Sequence, residues 1–146
     1  LDSRAPSGTT LKVRFSSNGG VTFDFSAETD ASIEINTNTR PYEYNDTGAD
    51  TLTGGALADT IKGLFGDDTL KGNGGNDLLY AGNGDDFINA GSGDDNIQIG
   101  SGADLVKSGE GQDRVVFAAD GIWGKGKEAW NINSKKPTKS SLNLKT

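Results

Sequence analysis

From Asn45 to Val116 the chain returns to one pattern every nine residues. Cut at that interval it reads NDTGADTLT, GGALADTIK, GLFGDDTLK, GNGGNDLLY, AGNGDDFIN, AGSGDDNIQ, IGSGADLVK and SGEGQDRVV. The sixth place is aspartate in all eight units: Asp50, Asp59, Asp68, Asp77, Asp86, Asp95, Asp104 and Asp113. The eighth is aliphatic throughout, and the fourth is glycine in every unit but the second, where Leu57 stands. So strict a period requires each unit to meet the surroundings of the last. A globule around one central core cannot supply that; a stack of equivalent turns can.

Each column has a physical role. Glycine at the fourth place, and often at the first or second, opens backbone conformations closed to other residues and lets one turn pass close to the next. The last three residues of each unit, with one inward aliphatic side chain, make a short strand. Turn and strand alternate, so two units close one lap. Leu52, Leu70, Ile88 and Val106 then stand in one ladder, and Ile61, Leu79, Ile97 and Val115 in the facing one. Stacked at about 4.8 Å, four laps give a flattened coil roughly 19 Å long. The expected fold is all-β, a parallel β-roll with a thin core and two glycine-rich edges.

Those edges stack carboxylates as well. Two of them about 4.8 Å apart repel by roughly 1 kcal/mol in water, and by several times that at a partly buried site. Asp67, Asp85 and Asp94 in the fifth place add to the charge. One aliphatic side chain per unit contributes about 1.5 to 3 kcal/mol on burial, against an ordering cost of about 1 to 2 kcal/mol for every residue. The coil therefore requires a counter-charge. A hard divalent cation between adjacent turns meets aspartate carboxylates and turn carbonyls, the oxygen environment that calcium takes. Magnesium is smaller and holds its waters, so it suits such a cage less well.

Composition narrows the function classes. The 146 residues are only 32% hydrophobic and carry a net charge of -7, which disfavours nucleic acid and anionic membranes as partners. Without cysteine there is no disulfide framework or thiolate metal site, and without histidine zinc and copper chemistry lacks its usual ligands. No apolar run reaches the length of a membrane span. Nor does the chain assemble a catalytic constellation: it has no histidine for a triad, no H-E-x-x-H and no phosphate-binding loop. Carboxylate pairs such as Asp67-Asp68 recur as places of the repeat and are explained by it. The start at Leu1, without methionine, is expected of a piece cut from a longer protein.

The units resemble the G-G-x-G-x-D-x-U-x nonapeptide of the RTX (repeats in toxin) haemolysin-type calcium-binding family, in which U is a large apolar residue. The resemblance covers residues 45 to 116. It implies a right-handed parallel β-roll in which each ion lies between a turn and the turn two units onward on the same edge. Carried onto this chain, Asp50, Asp68, Asp86 and Asp104 line one edge, and Asp59, Asp77, Asp95 and Asp113 the other. The turn glycines Gly66, Gly75, Gly84, Gly93, Gly102 and Gly111 complete the implied metal sites. Three gaps on each edge allow up to six calcium ions. The departures fall at Leu57, at Leu64 in a second place usually small, and in the first unit, NDTGAD. The resemblance further implies a bacterial protein, secreted or held at the cell surface and exported by type I secretion machinery. The parent polypeptide of such a module can be an enzyme or a toxin.

The flanks are read separately. Leu11, Val13 and Phe15, then Val21, Phe23 and Phe25, alternate around Ser-Ser-Asn-Gly-Gly and predict a hairpin of two half-buried strands. Ile33 and Ile35 add a strand before Arg40-Pro41. Residues 1 to 44 are thus expected to cap the open end of the coil, where unpaired strand edges would recruit others. Residues 117 to 146 hold Trp123 and Trp130, expected over the other end, and a Lys-, Ser- and Asn-rich tail from about Asn131. The expected function is a non-catalytic module that folds on extracellular calcium, stabilises its parent and assists its export. The alternative is an adhesin or glycan-binding module that engages a glycan or host receptor through bound calcium or the two tryptophans. An ice-binding file is not expected, because the third places read Thr47, Ala56, Phe65, Gly74, Asn83, Ser92, Ser101 and Glu110.

Overall fold

A computed structural model of the chain describes residues 8–14, 19–36, 48–117 and 131–134. Among them are twelve strands and no helix: β1 (Thr9–Arg14), β2 (Thr22–Asp24), β3 (Ala31–Asn36), β4 (Thr51–Thr53), β5 (Thr60–Phe65), β6 (Thr69–Gly74), β7 (Leu78–Asn83), β8 (Phe87–Ser92), β9 (Asn96–Ile99), β10 (Leu105–Glu110), β11 (Arg114–Phe117) and β12 (Asn131–Ser134). Odd-numbered strands form one six-stranded sheet, β1-β3-β5-β7-β9-β11, and even-numbered strands the other, β2-β4-β6-β8-β10-β12. Every pairing among them is parallel. The chain therefore crosses from one sheet to the other at each turn, which is a β-solenoid of the parallel β-roll kind.

Both expected ladders are present. Leu52, Leu70, Ile88 and Val106 stand in register across β4, β6, β8 and β10. Ile61, Leu79, Ile97 and Val115 do so across β5, β7, β9 and β11. The strands outrun the three residues expected of each, since β5 to β8 span six residues and run on through the first three places of the next unit. Successive side chains on a strand alternate faces, so the sixth, eighth and following first place all point inward. The first place is accordingly buried at Gly63, Gly72, Ala81, Ala90, Ile99 and Ser108. With a large aliphatic residue and a small one per half-lap, the two sheets close onto each other.

The flanks differ from expectation in two respects. β1 and β2 are not a hairpin: β1 pairs with β3 in one sheet and β2 with β4 in the other, both parallel. The Gly19-Gly20 stretch turns the chain between sheets, as the repeat turns do, because a half-buried strand at the end of a stack gains more from the neighbouring lap than from a lone partner. β3 is present, with Ala31, Ile33 and Ile35 buried. The second difference lies at Asn131–Ser134, which is no tail but β12, with Ile132 in the register of Val106. Phe15, Arg40-Pro41, Trp123, Trp130 and the remaining lysine-rich stretch lie outside the described residues.

The core is one continuous file. Ile33, Ile35, Leu52, Ile61, Leu70, Leu79, Ile88, Ile97, Ile99 and Val106 are buried, and Leu11, Val21, Phe23 and Phe25 pack against its N-terminal end. No described helix is long and apolar enough to cross a membrane.

Candidate metal centre

The alternation that buries the eighth place also buries the sixth, two residues earlier at the mouth of each strand. Asp50, Asp59, Asp68, Asp77, Asp86, Asp95 and Asp104 are each 1 to 2% exposed. They fall into the two expected files. Along them each aspartate donates its backbone N–H to the Oδ1 of the aspartate one lap on: Asp50 to Asp68 (2.8 Å), Asp59 to Asp77 (2.8 Å), Asp68 to Asp86 (2.8 Å), Asp77 to Asp95 (2.8 Å), Asp86 to Asp104 (3.0 Å) and Asp95 to Asp113 (3.1 Å). The spacing is eighteen residues in every case.

That accounts for one carboxylate oxygen only. The buried Oδ2 atoms of Asp77, Asp86, Asp95 and Asp113 have no hydrogen-bond partner. A buried anionic oxygen without a partner costs several kcal/mol, and the group avoids the cost by holding a proton or meeting a cation. Burial accordingly pushes Asp77 and Asp86 up to about 7 and Asp95 up to about 6, with the neighbouring carboxylates of the file adding to the rise and the Oδ1 hydrogen bonds opposing it. Asp59 is raised as well, by burial, against two opposing N–H bonds.

The turn glycines supply the second kind of oxygen. Gly66, Gly75, Gly84, Gly93, Gly102 and Gly111 all have φ between 102° and 138°, the left-handed region that excludes side chains. A Cβ on Gly84 would collide with the carbonyl oxygen of Gly66, and one on Gly93 with that of Gly75. The carbonyls of Gly66, Gly75, Gly84 and Gly93 thus point across the gap at the backbone of the next turn. Leu64 and Asn73, second-place residues with side chains, keep the left-handed backbone at φ 81° and 79°. Leu57 has no positive φ, so the second turn does not share this geometry.

Among the described residues no three acidic side chains converge as a metal cluster. A gap between turns offers one or two carboxylates together with main-chain oxygens, a donor set that fits calcium and not a metal requiring nitrogen or sulfur. The residues fit that ion: the sixth-place aspartates, foremost Asp77, Asp86 and Asp95, would hold it with the turn carbonyls.

The fifth place has a role that sequence reasoning missed. Asp67 accepts the N–H of Asp85 through Oδ1 (2.8 Å), Asp85 that of Ala103 (2.8 Å), Asn76 that of Asp94 (2.9 Å) and Asp94 that of Gln112 (2.8 Å). These exposed bonds run opposite in sense to the sixth-place files, so the four gaps from Asp67 and Asn76 onward are stitched in both directions, while Ala49 and Ala58 offer no such acceptor to the first two. The signal was present in the interchange of Asp and Asn there, which points to an acceptor and not to charge.

A solenoid with two buried aspartate files defines a class of repeat protein built around cations. The family model of the RTX calcium-binding nonapeptide repeat (4 copies) matches at residues 44–79, 63–97 and 80–115. Residues 44–115 are therefore RTX calcium-binding repeats, a calcium-binding segment. Compared with curated proteins and with solved structures, the chain matches none.

Proposed function

We propose that this chain is the calcium-switched folding module of a secreted bacterial protein, without catalytic activity of its own. The observation that carries the proposal is the set of buried Oδ2 atoms on Asp77, Asp86, Asp95 and Asp113, spread over both aspartate files, which lack protein partners. At submicromolar cytosolic calcium the repulsion along each file keeps the repeats open, a form that can thread a type I export channel. At millimolar external calcium the files are neutralised and the roll closes. Affinities of about 10⁻⁴ to 10⁻³ M, usual for extracellular calcium modules, put the transition between the two compartments. Up to six ions, one per gap, is the upper bound set by four turns on each edge.

Circular dichroism during a calcium titration, with magnesium as control, tests this. A cooperative gain of β signal in calcium alone is expected; a strand signal unaffected by chelator would overturn the proposal. The adhesin or glycan-binding alternative would act through bound calcium or through Trp123 and Trp130, which lie outside the described residues, and no described residue favours it.

A further inference from the structure

The sixth column does not stay acidic along the whole solenoid. Strand register places Val21 opposite Asp50 and Ile33 opposite Asp59, and Leu11 opposite Ile33 one lap earlier. In the N-terminal laps the place of the buried aspartate is therefore taken by Leu11, Val21 and Ile33. The eighth column continues unbroken there as Val13, Phe23 and Ile35. Where the repeats place a carboxylate and one aliphatic side chain on the inward face, these laps place two apolar side chains, each worth about 1.5 to 3 kcal/mol on full burial. Nothing in those columns repels.

The junction between the two kinds of lap keeps the Oδ1 bond of the later gaps and departs from them at the Oδ2 of Asp59. Val21 donates its N–H to Asp50 Oδ1 at 2.8 Å, and Ile33 donates to Asp59 Oδ1 at 2.6 Å. Asp59 then differs from Asp77, Asp86, Asp95 and Asp113: its Oδ2 accepts the N–H of Gly55, in its own turn, at 2.6 Å. Leu57 in the fourth place lacks the left-handed backbone that the turns from Gly66 onward share. The loop before β3 also packs on it, with Ala56 N–H donating to the Glu28 carbonyl at 2.9 Å. An amide hydrogen aimed at Oδ2 presents positive charge where a cation would have to approach. In the sixth column the lap before it contributes Ile33 in place of a carboxylate, and the one neighbouring acid that acts on Asp59, Glu28, comes from the loop before β3.

We infer that the laps containing β1 to β3 fold without metal, that Asp59 joins them to the repeats and is not a metal ligand, and that ion-dependent order is added from this seed toward β11. This rests on calcium binding by the later repeats, and it lowers the number of ions from six to at most five. Asp59 is a positioning residue here, because it orients the first repeat turn of its edge through Ile33 and Gly55.

Hydrogen exchange on the whole chain, followed in excess chelator and then in calcium, tests the seed. Segments 9–14 and 31–36 are expected to exchange at least about tenfold more slowly than 69–117 in chelator, and calcium is expected to protect 69–117. Equal exchange of 31–36 and 69–117 in chelator, both fast, would overturn the seed while leaving calcium binding intact. Protection of 69–117 that is the same in chelator and calcium would instead refute the underlying calcium reading, and the seed with it. Equilibrium dialysis of calcium tests the joint. Asp59→Asn is expected to keep the wild-type number of bound ions and to lose exchange protection at 31–36, whereas Asp77→Asn is expected to lose at least one ion. Loss of an ion from Asp59→Asn with 31–36 still protected would overturn the assignment. The exchange experiment needs no substitution, so it decides the seed even where a variant fails to fold.

Discussion

At Asp77, Asp86, Asp95 and Asp113 the sixth-place aspartate carries two tasks on two atoms. Oδ1 accepts the main-chain N–H of the previous lap, which fixes the side chain, and Oδ2 is left for a cation. Replacing Asp86 by asparagine retains an acceptor but removes the charge; the calcium midpoint measured by circular dichroism is expected to rise roughly tenfold, the equivalent of about 1.4 kcal/mol. Gly84 is a different kind of constraint. At φ 136° and facing the Gly66 carbonyl, it leaves no space for a methyl group. Gly84→Ala is expected to cost at least about 2 kcal/mol in a denaturant melt run in saturating calcium, through backbone strain added to the collision. The sixth, eighth and fourth columns were all legible in the sequence, because each is a local demand that recurs in seven or all eight of the units. The buried first place was not, since Gly63, Ala81, Ile99 and Ser108 share no chemistry, only the inward side of a strand that runs two residues beyond the aliphatic one.

At the level of the strand, each lap is held by its neighbours and by little else. Leu79 is fully buried between Ile61 and Ile97 in its ladder. Leu79→Ala is expected to destabilise the calcium-loaded form by about 2 to 5 kcal/mol in a urea melt, with the larger value if the neighbouring laps cannot close on the gap. The failed hairpin shows where strand patterning stops being informative. Leu11-x-Val13 and Val21-x-Phe23 alternate as a hairpin would, and the glycines between them suit a tight turn. Alternation, however, says which side of a strand is buried and not which strand lies beside it. The partner was decided by the laps that follow, to which β1 and β2 are matched in register. Asn131–Ser134 was hidden for the converse reason: one isoleucine among polar residues is a weak pattern until β10 offers it an edge.

For the molecule as a whole, proton and metal compete for the same oxygens. Asp77, Asp86 and Asp95 have an ordinary value of 3.8 and rise to about 7, 7 and 6 in the folded chain. Without metal, the folded form therefore holds more protons than the unfolded one from about pH 4 to about pH 7. The stabilisation is fully present below that window and is lost as pH rises through it, so in chelator the strand signal is expected to be stronger at about pH 4 than at pH 8. In calcium the dependence reverses: bound protons must leave, and the calcium midpoint is expected to climb as pH falls below about 7. Titrations at several pH values in both conditions check the two signs together. One last consequence follows from the unequal laps at the N-terminal end. Inside the repeats a slip of eighteen residues would set aspartate beside aspartate and aliphatic beside aliphatic, so identical coils offer no landmark against miscounting. The pairs that cross the junction are 26 and 29 residues apart and match isoleucine or valine to aspartate. They act as the key of a zip, a single asymmetric start that lets every later tooth find its place.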